Sequence, residues 1–151
     1  MKDTTLCYIE KDNKYLMIYR NKKKNDVNEG KYVGIGGHIE NGETLEECII
    51  REAKEETGLT IINPKYRGII TFISNVYEEE RMHLFTCTSF EGELTTCNEG
   101  ELEWIDKSRL EQIPMWSGDI IFLKMLDTER DFFKLTLTYE NDDLISSELT
   151  K

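Results

Sequence analysis

Apolar residues along the chain fall into short runs broken by charged stretches, and the period of each run predicts its element. Leu6-Cys7-Tyr8-Ile9 and Tyr15-Leu16-Met17-Ile18-Tyr19 flank the polar Glu10-Lys11-Asp12-Asn13-Lys14, the pattern of two strands joined as a hairpin. The stretch from Arg20 to Lys31 is polar, basic at its start, and reads as a solvated loop. From Tyr32 to Glu43 apolar residues alternate with four glycines, which predicts a strand whose backbone comes close to a partner. Lys65 to Ser74 and Arg81 to Phe90 are rich in β-branched and aromatic residues and read as strands, with Glu91-Gly92-Glu93 as a turn. Glu103-Trp104-Ile105 is a short strand, and Phe132 to Tyr139 alternates as a last one.

Two stretches carry helical signals. Thr44 followed three residues later by Glu47 is a capping box, and Gly58 supplies a C-terminal stop, so 44–57 is a helix. Asp119 to Asp127 is apolar enough to be a second, well-buried helix. Mixed strands with two main helices predict an α/β (α+β) class, a mixed sheet sandwiched between helices.

Length and charge narrow this picture. A chain of 151 residues fits a single domain, residues 1–151. A net charge of −11 disfavours nucleic acid and anionic membrane as partners, because binding to either needs clustered Lys and Arg. If the substrate is a polyphosphate, a divalent cation must stand between it and so acidic a protein. Cys7, Cys48, Cys87 and Cys97 lie far apart with no Cys-x-x-Cys, which argues against a zinc site and for free thiols in a reducing, cytoplasmic setting. Lys2, Asp3 and Glu10 interrupt any apolar leader at the start, and no run approaches the roughly 20 apolar residues that span a bilayer.

The first helix is where folding and chemistry part. At about 100° per residue, Leu45, Cys48, Ile49 and Ala53 share a side, and so do Glu52, Glu55 and Glu56. Glu52 is a like-charge neighbour of both Glu55 and Glu56, each pair costing about 0.2–0.5 kcal/mol in an isolated helix. Folding alone would not choose this arrangement, whereas a hard divalent cation with oxygen ligands reverses its sign. A Glu-rich helix by itself is most often solvated surface. The glycine-rich turn before it, and the spacing of Glu43 and Arg51, favour a metal cradle. Ile50 points off the stripe and marks either a second packing layer or a dimer contact, so monomer and homodimer both stay open.

Gly37, five residues, Glu43, seven residues, then Arg51-Glu52-Ala53-Lys54-Glu55-Glu56-Thr57-Gly58-Leu59 resembles a complete Nudix box. Only Ala53 is smaller than the usual aliphatic residue. The resemblance implies a Mg²⁺-dependent hydrolase, with Mn²⁺ able to substitute, that splits a nucleoside diphosphate linked to another group. It implies metal ligands at Glu52, Glu55 and Glu56 and at the Gly36 carbonyl, with Arg51 and Glu43 bracing the loop against the helix. A carboxylate must also take the proton of the attacking water. Glu52 comes first, and Glu55, Glu56 and Glu99 remain open.

Outside the box the chain is similar to the MutT-type group that removes oxidised purine nucleoside triphosphates such as 8-oxo-dGTP. Arg20, Glu99 ahead of Trp104, and Pro114-Met115-Trp116-Ser117-Gly118-Asp119 carry that likeness. It implies Arg20, Gly37, Trp116 and Asp119 as substrate contacts, Trp116 stacking on the purine and Asp119 bonding its edge, and Glu99 as a further metal ligand. Each has a plainer reading: Trp116 as core, Asp119 as the N-cap of the second helix, Glu99 as surface charge. Val33 stands where some members carry an Asn that reads the base, which leaves base selectivity open. The alternatives are a Nudix hydrolase of ADP-ribose or dinucleoside polyphosphates, and a noncatalytic nucleotide-binding regulator.

Overall fold

The structure is a computed structural model that describes residues 1–129 and 131–150. Its elements in chain order are strands β1 (Lys2–Lys11), β2 (Lys14–Tyr19) and β3 (Tyr32–Val33), helix α1 (Leu45–Thr57), and strands β4 (Thr60–Ile62), β5 (Lys65–Ser74), β6 (Glu80–Cys87), β7 (Ser89–Glu91) and β8 (Glu101–Asp106). A 3-10 turn (Lys107–Gln112), helix α2 (Asp119–Thr128), and strands β9 (Phe133–Glu140) and β10 (Asp143–Thr150) complete it.

The hairpin of β1 and β2 forms as its pattern predicts, with Ile9 opposite Leu16 and Lys11 opposite Lys14. Asp12 and Asn13 between them take φ of 53° and 62°, the left-handed pair that a two-residue hairpin needs and that Asp and Asn tolerate. The large sheet runs β10-β9-β5-β6-β1-β2-β3, with β8 also paired to β2. It is mixed: β1 lies parallel to β6 and β5 parallel to β9, while the other pairs are antiparallel.

Successive side chains of a strand face opposite ways, so the sheet buries both faces. One face packs Cys7, Ile9, Ile18 and Ile35 against Ile49 and Ala53 of α1. The other packs Tyr8, Tyr15, Leu135, Leu137 and Tyr139 against Phe122, Leu123 and Leu126 of α2. The expected sandwich of a mixed sheet between helices is thereby realised. Ile50 is half-buried against the α1-side cluster, which makes it a second packing layer.

Both ends of α1 are closed as its sequence dictates. Thr44 accepts from the Glu47 amide at 3.1 Å, and the Glu47 carboxylate accepts from the Thr44 amide at 2.9 Å. Gly58 sits at φ 83° and donates its N–H to Lys54 O.

Three expectations change. The strand from Tyr32 shortens to two residues, and beyond it Ile35 and His38 reach β1 only through single bridges to Cys7 and Thr4. The run from Arg81 divides at Thr88: β6 stays in the large sheet, while β7 leaves to pair with β4. Asp119 is not an N-cap; Gly118 holds that position, and Asp119 is the first helical residue, 9 % exposed with its carboxyl taken into the interior. Among the described residues no helix is long and apolar enough to cross a membrane.

Candidate active site

The stretch after β3 lies between β1 and α1. Cys7 and Ile35 exchange backbone hydrogen bonds, and the Thr5 amide donates to Gly37 O at 2.9 Å. A Cβ at Gly36 would stand 1.9 Å from Thr5 O, and one at Gly37 would stand 2.6 Å from the Glu52 carboxyl carbon. Gly36 therefore needs glycine because backbone stands behind it, whereas a side chain at Gly37 would displace the Glu52 carboxylate in front.

Arg51 ties this loop to the helix. Its Nε donates to Glu43 Oε2 at 2.6 Å and its second terminal nitrogen to Glu43 Oε1 at 3.0 Å, a bidentate pair. The same guanidinium donates to His38 O at 3.1 Å, to Glu52 Oε1 at 2.8 Å and to Glu55 Oε2 at 3.2 Å. Arg51 beside it holds the Glu43 carboxyl down to about 2. One cation thus fixes the loop carboxylate and two helix carboxylates in a single frame.

Glu56 lies deeper, 8 % exposed, and its Oε1 accepts from the Gly36 amide at 3.0 Å. Glu99 arrives from the loop before β8 and meets it. Burial, then the neighbouring Glu99 carboxylate, push Glu56 well above the ordinary carboxylate range. Glu99 also takes Arg20 at 3.4 Å and Lys23 at 3.3 Å, while Arg20 Nε donates to Asp26 at 2.8 Å. Glu55, by contrast, has a side chain 59 % exposed at the rim.

These residues fit a divalent cation by their chemistry. The donors are hard oxygens: Glu52, Glu56 and Glu99 crowd one another, and the glycine at 37 leaves room in front of Glu52. Among the described residues no three such side chains converge on one point as they stand. Arg51 holds Glu52, and Arg20 and Lys23 hold Glu99, so cations of the chain itself occupy those carboxylates.

A cleft of about 670 Å³ opens from the Gly36–His38 loop. Arg20, Lys23 and Glu99 line its polar end; Tyr8, Phe72, Trp116 and Asp119 line its apolar end. Trp116 is 6 % exposed, packs edge-on against Phe72 and Tyr139, and donates Nε1–H to Asn28 Oδ1 at 2.8 Å. Lys31 Nζ sits 4.6 Å from the centre of its ring. Burial raises the Asp119 carboxyl to about 7, and Lys31 opposes that rise.

The structure therefore gathers Glu43, Arg51, Glu52 and Glu55 into one ion-pair frame and Glu56, Glu99 and Arg20 into a neighbouring group at the Gly36 loop; of these residues Arg20 and Glu99, with Gly36 and Gly37, line the cleft that Trp116 and Asp119 also line. Sequence reasoning missed Lys23, Lys31, Asn28 and Tyr8. The basic run Lys22 to Lys24 was a signal for the first; Tyr8 carries none, because in a strand an aromatic residue reads as core.

The NUDIX domain profile matches residues 2–126. The chain belongs to the Nudix family. It is 31% identical over 155 residues to an uncharacterized Nudix hydrolase, YvcI, of Bacillus subtilis, covering 99% of this chain and 94% of that one. It is 30% identical over 129 residues to the oxidized purine nucleoside triphosphate hydrolase of Danio rerio, covering 84% and 82%. The crystal structure of a MutT protein from Bacillus halodurans superposes with a TM-score of 0.88 at 28% identity, covering 99% of this chain and 97% of that one. Other relatives are named for different substrates, an ADP-ribose pyrophosphatase and NAD-capped RNA hydrolases among them. As a Nudix hydrolase the chain acts on phosphoanhydride bonds of nucleotide derivatives, and the family works with divalent metal ions.

Proposed function

We propose that this Nudix hydrolase uses Mg²⁺, with Mn²⁺ as a substitute, to convert purine nucleoside triphosphates to nucleoside monophosphate and pyrophosphate. Its preferred substrate is an oxidised purine such as 8-oxo-dGTP, and its role is nucleotide-pool sanitation in a reducing, cytoplasmic setting. The observation that carries this reading is the cleft itself: Gly36, Gly37, Arg20 and Glu99, which border the carboxylates of α1, share one space with Phe72, Trp116 and the buried Asp119 carboxyl.

A bound divalent cation would supply charge neutralisation for the polyphosphate and activation of the attacking water. Glu52, Glu56, Glu99 and the Gly36 carbonyl would hold it, with Glu55 at the solvent side. Arg51 and Glu43 keep the helix and the glycine loop in register, so the ligands meet the phosphates in a fixed geometry. Arg20 and Lys23, which contact Glu99 here, turn to the phosphates once that carboxylate is engaged. Water adds to one phosphorus, the bond to its bridging oxygen breaks, and the water proton passes to a carboxylate, Glu52 first. The base lodges beside Trp116, an aromatic face worth about 1–3 kcal/mol per stacked base.

Pyrophosphate release from 8-oxo-dGTP, dGTP, ADP-ribose and diadenosine tetraphosphate with Mg²⁺ tests the reading. Preference for the triphosphates, with nucleoside monophosphate as co-product, is expected. Turnover of ADP-ribose alone would keep the carboxylate cluster and discard the purine recess. Nucleotide binding without turnover of any of the four would point to a regulator.

A further inference from the structure

The recess holds a polar group that the proposed reaction does not use. Tyr8 is wholly buried in β1, lines the cleft, and carries the one buried side-chain oxygen or nitrogen among the described residues that has no hydrogen-bond partner. A buried hydroxyl left unmatched destabilises the fold, so a protein keeps one chiefly where something else satisfies it. Its ring is fixed by Tyr15 and Phe122, with centroids 5.5 Å and 6.1 Å away, and a Cβ on Gly34 would meet its Cζ at 2.9 Å. The oxygen therefore has one place to be. The polar groups whose fields reach it include the Asp119 carboxyl, the Tyr15 hydroxyl and the Gly34 backbone.

Building on the purine reading above, we propose that Tyr8 is a specificity-determining residue whose hydroxyl donates a hydrogen bond to a ring carbonyl oxygen of the base, selecting 6-oxopurine over 6-aminopurine nucleotides. A tyrosine hydroxyl can donate its O–H, and no group among the described residues accepts it. A keto oxygen accepts that proton, and the ring N–H beside it is accepted by the Asp119 carboxylate, buried at the same end of the cleft. A 6-aminopurine inverts the pattern at Tyr8, because its amino group sets a donor against a donor. A site built to hydrogen-bond one pattern rejects the other because its own buried groups stay unmatched. Val33, also in the lining, has no polar side-chain atom with which to read the base, which leaves side-chain readout to β1 and α2.

Tyr8→Phe tests this while preserving the ring and its packing. The ratio of kcat/KM for dGTP over dATP is expected to fall about tenfold, through KM for dGTP, while the melting temperature of the nucleotide-free variant equals or exceeds that of the wild type. An unchanged ratio, an equal loss on both nucleotides, or a lower melting temperature would overturn the proposal and leave the triphosphatase reading standing. Wild-type enzyme that turns over neither dGTP nor dATP while splitting ADP-ribose would overturn both.

Discussion

Replacing Asp119 by Asn isolates the cost of a charge that the fold encloses. The carboxyl ordinarily titrates at 3.8 and is raised here to about 7, first by burial, with Lys31 the opposing influence. The gap, at about 1.4 kcal/mol per pH unit, comes to about 4 kcal/mol between the two protonation states. Its sign follows from the proton count. Between about pH 4 and pH 7 the folded chain keeps a proton that the unfolded chain has released, so stability falls as pH rises through that window and levels off above it. Asn has no proton to release and lacks this descent. The groups that share its field are Lys31, Tyr8 and Tyr139, and each is unchanged by the substitution. Urea unfolding of both proteins at pH 5 and pH 8 gives a difference of differences in which all other titrations cancel. Asp119→Asn is expected to gain about 2.5 kcal/mol on the wild type across that interval. Parallel stability curves would refute the enclosed, unpaired carboxyl and, with it, the polar floor of the recess.

Three further outcomes follow from the packing around the cleft. Gly36→Ala places a methyl 1.9 Å from Thr5 O, so the loop must move off β1; a loss of about 1–3 kcal/mol in urea unfolding and of most activity is expected. Glu43→Gln removes one charge from the bidentate Arg51 pair, and kcat/KM should fall about 10–100-fold while the melting temperature changes little, as read by steady-state kinetics beside a thermal melt. Ile49→Ala empties a wholly buried site between α1 and the sheet and should cost about 2–5 kcal/mol in chemical denaturation, with no change in the metal dependence of turnover.

Much of this architecture is legible in the chain because local chemistry and global fold agree there. Thr44 and Glu47 cap α1, Gly58 ends it, and the alternation in β9 turns Phe133, Leu135, Leu137 and Tyr139 toward the α2-side core. The Nudix box could be read because its glycines and carboxylates violate what folding alone would choose. Elements that depend on partners remote in sequence were invisible. β4 is three residues long and exists only through its pairing with β7, whose break from β6 at Thr88 no local residue announces; β10 pairs with the adjacent β9 but is exposed on nearly every residue, with no apolar alternation to announce it. The same limit applies in the cleft. Arg51 and Glu43 are eight residues apart and share a motif, whereas Lys23 meets Glu99, and Trp116 meets Asn28, only because the large sheet brings their loops together. Tyr8 looks like any core tyrosine until its unmatched hydroxyl is seen.

Pyrophosphate release from dGTP across a Mg²⁺ titration, wild type beside Glu56→Gln, tests most directly whether the carboxylate cluster beside the Gly36 loop is the catalytic centre. Glu56 is buried against the Gly36 amide and Glu99, so Gln fits the same space and retains that hydrogen bond. The wild type should be silent without the metal and release one pyrophosphate per dGMP with it, and Glu56→Gln should lose at least about 100-fold in kcat/KM while melting no lower. Metal-independent turnover, or a variant as active as the wild type, would contradict a metal-dependent reaction at this cluster.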